Sequence, residues 1–109
     1  MSRVTNLILK YQSMCYCDEI EKSLTTWFSD NRLGRMPISC DSEILPNGWY
    51  GGGKFLECEI CVGAYNYLDI NDFLKYMKTL PWKYPEYVQV MYQEQEDDFF
   101  TSWRLSDAA

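Results

Sequence analysis

Residues 55–67 read FLECEICVGAYNY, and their alternation decides the fold. Leu56, Cys58, Ile60, Val62 and Ala64 fall on one side of an extended chain, with Glu57, Glu59, Cys61 and Gly63 on the other. A period of two is that of a strand, and a run this long predicts a central one.

The residues just before it, 48–55, read GWYGGGKF and come within one residue of a phosphate-binding loop, with Phe55 where Ser or Thr is needed. Such a loop lies between a buried strand and a helix, whose N-terminal amides hold the phosphates while the hydroxyl holds magnesium. Here a polar, proline-containing segment precedes the glycines, a strand follows them, and Phe55 cannot ligate a metal. A flexible turn at Gly51, Gly52 and Gly53 is therefore expected in place of a nucleotide site.

Towards the N-terminus, residues 4–12 place Leu7, Leu9 and Tyr11 on one face and Asn6, Ile8 and Lys10 on the other, which predicts a half-buried strand. A helix should follow. Asp18 with Glu21 resembles a capping box, Ile20, Leu24, Trp27 and Phe28 form one apolar stripe, and Asn31 and Gly34 mark its end. Residues 36–44 predict a short edge strand, since Pro37 cannot donate to a ladder.

Towards the C-terminus, Asp69 or Asn71 caps a second helix carrying Phe73, Leu74, Met77 and Leu80, which Pro81 stops. Strands at 87–93 and 99–105 then flank the acidic connection 94–98 as a hairpin. The order strand, helix, strand, strand, helix, strand, with one strand more, predicts an α+β domain of the ferredoxin-like (split βαβ) kind. It is a sandwich of one antiparallel sheet of four to five strands with two helices on one face. Residues 1–109 form a single compact domain, too short for two. The other sheet face, expected to carry Ile8, Phe55 and Tyr65, is left open, which makes a homodimer through it a candidate assembly.

Sixteen Asp and Glu against ten Lys and Arg give a net charge of −6. That opposes direct binding to nucleic acid or an anionic membrane and favours a basic partner. The apolar run Leu7-Ile8-Leu9 is too short for a signal peptide or a spanning helix, so the expected location is the cytoplasm, that of a host cell if the chain is phage-encoded. The five cysteines, Cys15, Cys17, Cys40, Cys58 and Cys61, are then expected as free thiols. Cys58 and Cys61, three apart on a strand, point to opposite faces and cannot both grip one ion, so no metal and no cofactor is expected.

Catalysis has few candidates, because the chain has no histidine. Glu57 and Glu59 lie on one strand face about 7 Å apart, which suits a solvated acidic surface, with Lys10 a possible cross-strand partner, better than paired acid and base. An enzyme is not expected, and no catalytic residue is assigned. Nine tyrosines and four tryptophans are the more informative feature. They bury large area at small entropic cost and anchor interfaces, although about half of them should simply fill the core.

The candidate partner- or ligand-binding residues are Trp49, Tyr50, Gly51, Gly52, Gly53 and Lys54, with Tyr65, Tyr67, Trp82 and Tyr84. Glu57, Glu59, Glu94, Glu96, Asp97 and Asp98 form the acidic rim. A small non-enzymatic inhibitor, antagonist or adaptor, of the immunity-protein or phage-accessory kind by analogy of composition alone, fits this pattern. A sequestering protein for a small planar molecule or nucleotide, using stacked aromatics and the glycine turn, is the second expectation.

Overall fold

The computed structural model describes residues 3–11, 18–40 and 58–108. Within them run β1 (Val4–Tyr11), α1 (Asp18–Asp30), β2 (Ile38–Ser39), β3 (Glu59–Asn66), α2 (Ile70–Met77), β4 (Gln89–Glu94) and β5 (Thr101–Arg104). Single 3-10 turns occupy Pro85–Tyr87 and Leu105–Ala108. The strands form one open sheet in the order β2-β3-β1-β4-β5, and each neighbouring pair is antiparallel.

β1 lies at the centre because both of its edges are paired, Leu7 with Gly63 of β3 and with Tyr92 of β4. Its alternation is the one the sequence shows: Thr5, Leu7, Leu9 and Tyr11 are buried. β3 is turned the other way from the simplest reading of its composition. Its more apolar side, Ile60, Val62 and Ala64, faces away from the helices, while Cys61 and Tyr65 lie in the core. Tyr65 therefore does not belong to the open face: its pairing with buried Thr5 places it under the helices. Phe55, Leu56 and Glu57 lie outside the described residues, as do Cys15 and Cys17.

α1 buries the stripe Ile20, Leu24 and Phe28 and half-buries Trp27. Its end is a Schellman turn, in which Leu33 N–H donates to Phe28 O (2.9 Å) and Arg32 N–H to Ser29 O (3.0 Å). The left-handed position of that turn falls on Arg32 (φ 59°), two residues before the glycine that the sequence offers. α2 begins at Asp69, whose carboxylate accepts from Asp72 N–H at 3.1 Å. Past its end, the buried Trp82 donates its indole N–H to Met77 O at 2.9 Å, which satisfies one of the carbonyls a helix terminus leaves open.

The two helices and the sheet share one aromatic core. Phe28 packs on Tyr65 with ring centroids 4.8 Å apart and on Phe73 of α2 at 5.5 Å, and Trp27 stacks on Tyr76 at 5.6 Å. The Tyr76 hydroxyl donates to Ser23 O across the helix pair at 2.8 Å. Among the described residues no buried side-chain nitrogen or oxygen lacks a partner.

Two of these core groups make the domain sensitive to alkali. Burial pushes the Cys61 thiol up from 9.0 to about 12, with Glu59 adding to the rise and a hydrogen bond with Tyr11 opposing it. Burial likewise raises the Tyr65 phenol above its ordinary 10.0, and nearby Cys61 adds to the rise. Both acids bind their proton more tightly folded than unfolded, so their contribution is complete below pH 9 and is lost as pH climbs towards the folded values. Melting temperature is expected to hold from pH 7 to 9 and then fall, each group adding up to about 1.4 kcal/mol per pH unit. A flat profile to pH 11 contradicts this. Cys61→Ala should soften the fall.

Candidate functional site

The pairings Val4↔Asn66 and Thr5↔Glu94 bring Arg3, Tyr67 and the start of the β4–β5 connection to one end of the sheet. Tyr67 N–H donates to Arg3 O (2.9 Å), the Arg3 guanidinium pairs with the Glu94 carboxylate (3.2 Å), and Val4 N–H donates to the Gln95 side chain (3.1 Å). Both partners of the Arg3–Glu94 pair remain partly or largely exposed, so its worth is small, about 0–1 kcal/mol. It fixes position more than it stabilises.

The connection is held in shape by Asp97. Its N–H donates to Glu94 O (2.9 Å), its carboxylate accepts from Glu94 N–H (3.1 Å), and its own carbonyl accepts from the Gln93 side chain (3.1 Å). Asp97 thus spends its charge inside the turn, a use open to Asp because its short side chain reaches local backbone amides. Glu96, Asp98, Phe99 and Phe100 are left exposed beyond it. Phe99 is 83% and Phe100 45% exposed, where the other exposed large hydrophobics among the described residues are Val62, Tyr67 and Tyr87.

Tyr67 stands at the same end, 68% exposed and in the left-handed region (φ 60°), where an aromatic residue is an outlier. It borders a shallow depression of about 400 Å³ lined by Arg3, Asp69, Asn71 and Glu94, where α2 begins.

The residues singled out from the sequence are therefore divided. Tyr67, Glu94, Glu96, Asp97 and Asp98 share the hairpin end. Trp82, whose ring lies 5.4 Å from that of Tyr11, and Tyr65 are core residues, unavailable to a partner in the folded chain. Tyr84 is half-buried near the opposite end of β1, 6.2 Å from the Tyr87 ring, over which the Lys10 ammonium sits at 5.6 Å. Glu59 is at that end too, on the helix side of β3, where it accepts from the Ser39 hydroxyl. Lys10 faces the other side and donates to Tyr87 O (3.1 Å), so the two do not form the cross-strand pair that the sequence suggested. Trp49, Tyr50, Gly51, Gly52, Gly53, Lys54 and Glu57 lie outside the described residues.

Phe99 and Phe100 are what sequence reasoning missed. Adjacent phenylalanines at the start of an alternating segment read as strand, where one of the two would turn inward. The ladder begins only at Thr101, so both stay in the connection. The four acids among the five residues before them were the available signal, since a strand rarely opens so far into a charged run.

Cys40, Cys58 and Cys61 form no disulfide, and no three metal-ligating side chains converge among the described residues. Nor is any helix there long and apolar enough to cross a membrane. No protein-family model, no curated protein and no solved structure matches the chain, so what it does rests on its own surface chemistry.

Proposed function

We propose that this chain is a small non-enzymatic binding protein, an inhibitor, antagonist or adaptor, that docks on a basic protein partner through the β4–β5 hairpin. Phe99 and Phe100 are the anchors, and Glu94, Glu96 and Asp98 the acidic rim. The observation that carries this reading is the exposure of two adjacent phenylalanines beside three carboxylates on a turn that Asp97 ties to Glu94 by two hydrogen bonds.

Each part has a physical use. Aromatic anchors entering an apolar slot supply most of the energy of an interface, while the charges around them steer encounter and fix register. A turn already ordered by its own hydrogen bonds loses little entropy on docking. The net charge of −6 draws the chain towards a basic surface. The element order β1-α1-β2-β3-α2-β4 with neighbours β2-β3-β1-β4 supports a ferredoxin-like frame, to which β5 is an addition. The proposed anchors sit on that addition, where they can vary without disturbing the core.

The test compares what the wild type, Phe99→Ser/Phe100→Ser and Glu96→Lys/Asp98→Lys retain from a lysate of the native host, with the retained proteins identified by mass spectrometry. A basic protein held by the wild type, released by salt and reduced at least about tenfold by either double variant is the expected result. Equal retention by all three forms overturns the proposal. A small molecule retained in native mass spectra of every form, with no protein partner, replaces it with ligand capture.

A further inference from the structure

The sheet face turned away from the helices is unlike the rest of this acidic chain. Across its middle runs an aliphatic row, Ile38, Val62, Ile8 and Met91, contributed in turn by β2, β3, β1 and β4. None of the described positions on this face of the five strands is Asp or Glu, although the chain has sixteen of them.

The polar side chains flanking the row are already partnered. Asn6 donates to Gln93 (3.3 Å), Gln89 donates to Ser102 (2.6 Å), Lys10 donates to Tyr87 O (3.1 Å), and Arg104 pairs with Asp107 (2.7 Å). Groups satisfied among themselves can be covered without stranding a donor or acceptor. We infer that this face pairs with the same face of a second copy, giving a symmetric dimer whose centre is the Ile8–Val62–Met91 row.

The charge pattern selects that occupant. A basic partner finds no carboxylate on the strands of the face and, at its edge, only that of Asp107, already paired with Arg104, and an acidic one finds both cations already engaged. A second copy presents an identical aliphatic row, and a symmetric contact needs a patch complementary to itself. It also keeps the carboxylates of two −6 chains apart, whereas contact through acid-bearing surfaces sets like charges together.

Strands of two to eight residues rising roughly 3.3 Å per residue and spaced roughly 4.8 Å apart give a face of roughly 500 Å². About 1,000 Å² for the pair is the threshold of a specific interface and fits a weak dimer, with dissociation in the micromolar range. This inference does not depend on the hairpin reading, because the row and the tip are separate surfaces.

Sedimentation velocity on the full chain, from about 1 µM to about 1 mM, tests it. The wild type is expected to pass from monomer to dimer across that range, and more readily at higher salt, which screens the residual repulsion. Val62→Asp should stay monomeric throughout, with near-UV circular dichroism reporting an intact core. Gln89→Glu, whose carboxylate can accept from the Ser102 hydroxyl where the amide donated to it, is the milder variant, expected to weaken the dimer at least about fivefold at low salt and to recover in salt. A wild type monomeric at every concentration overturns the proposal. So does a dimer undiminished in Gln89→Glu, or one lost in Phe99→Ser/Phe100→Ser but kept in Val62→Asp, which would place self-association on the hairpin.

Discussion

Phe28→Ala is expected to cost about 3–5 kcal/mol, a large share of the total for a domain this size. Phe28 is fully buried and is where three elements meet: its ring touches Tyr65 on β3, Phe73 on α2 and Trp27 beside it on α1. Removing it loses the ring's transfer energy and leaves a cavity walled by other rings, which are too stiff to fold into it. A drop in melting temperature of about 10–25 °C is the expected reading. Phe99→Ala is the control, because that ring is exposed and its loss should change stability by no more than about 0.5 kcal/mol. If the two variants melt alike, the core is not organised around Phe28.

Gly63→Val carries the second large effect and tests the one place where β3 must be bare. A Cβ on Gly63 would lie 2.7 Å from the Tyr65 hydroxyl oxygen and 2.9 Å from two ring carbons. Two residues apart on one strand face, Gly63 supplies the floor over which the Tyr65 ring lies. Two effects favour the substitution: valine suits strands, and losing a glycine removes disorder from the unfolded chain, together about 1–2 kcal/mol. The clash outweighs them, because the Tyr65 ring is held against Phe28 and cannot swing away. Gly63→Ala should therefore be destabilising by about 1–3 kcal/mol, and Gly63→Val by more. Pairing Gly63→Ala with Tyr65→Leu should recover part of the loss, since the two side chains compete for one space. A stabilising Gly63→Ala contradicts this account.

The same pair of residues explains how far the fold was legible. The existence of β1, β3 and both helices follows from local periodicity, which depends only on neighbouring residues. Which face of β3 is covered does not. Ile60, Val62 and Ala64 are the more apolar set, yet the helices sit over Cys61, Gly63 and Tyr65, because the Tyr65 ring lies over bare Gly63 and there meets Phe28 of the helix layer. That is a matching of volumes across sequence-distant elements, invisible to a count along one strand. α1 shows the converse at short range: its end was legible, but the left-handed residue was not, because Leu33, one position on, packs on the core and so sets the turn at Arg32.

Aromatic residues were the hardest to sort. Trp82 looks like a contact residue in a proline-bounded turn until Met77 O takes its indole N–H, and Tyr65 until β1 fixes its side. The acidic run was plain in the sequence. What made it a candidate site was the late start of β5, which leaves both phenylalanines outside the ladder.

The central place of β1 has a consequence for how the chain is made. β1 leaves the ribosome before the strands that pair with it, and its outermost tie, Arg3 to Glu94, spans 91 positions. Leu7 and Leu9 are without a β4 neighbour until Val90 and Tyr92 have been synthesised. Closing so long a loop comes late and slowly, and meanwhile an apolar strand with two bare edges is exposed to other nascent chains. Holdase chaperones would meet this protein at β1.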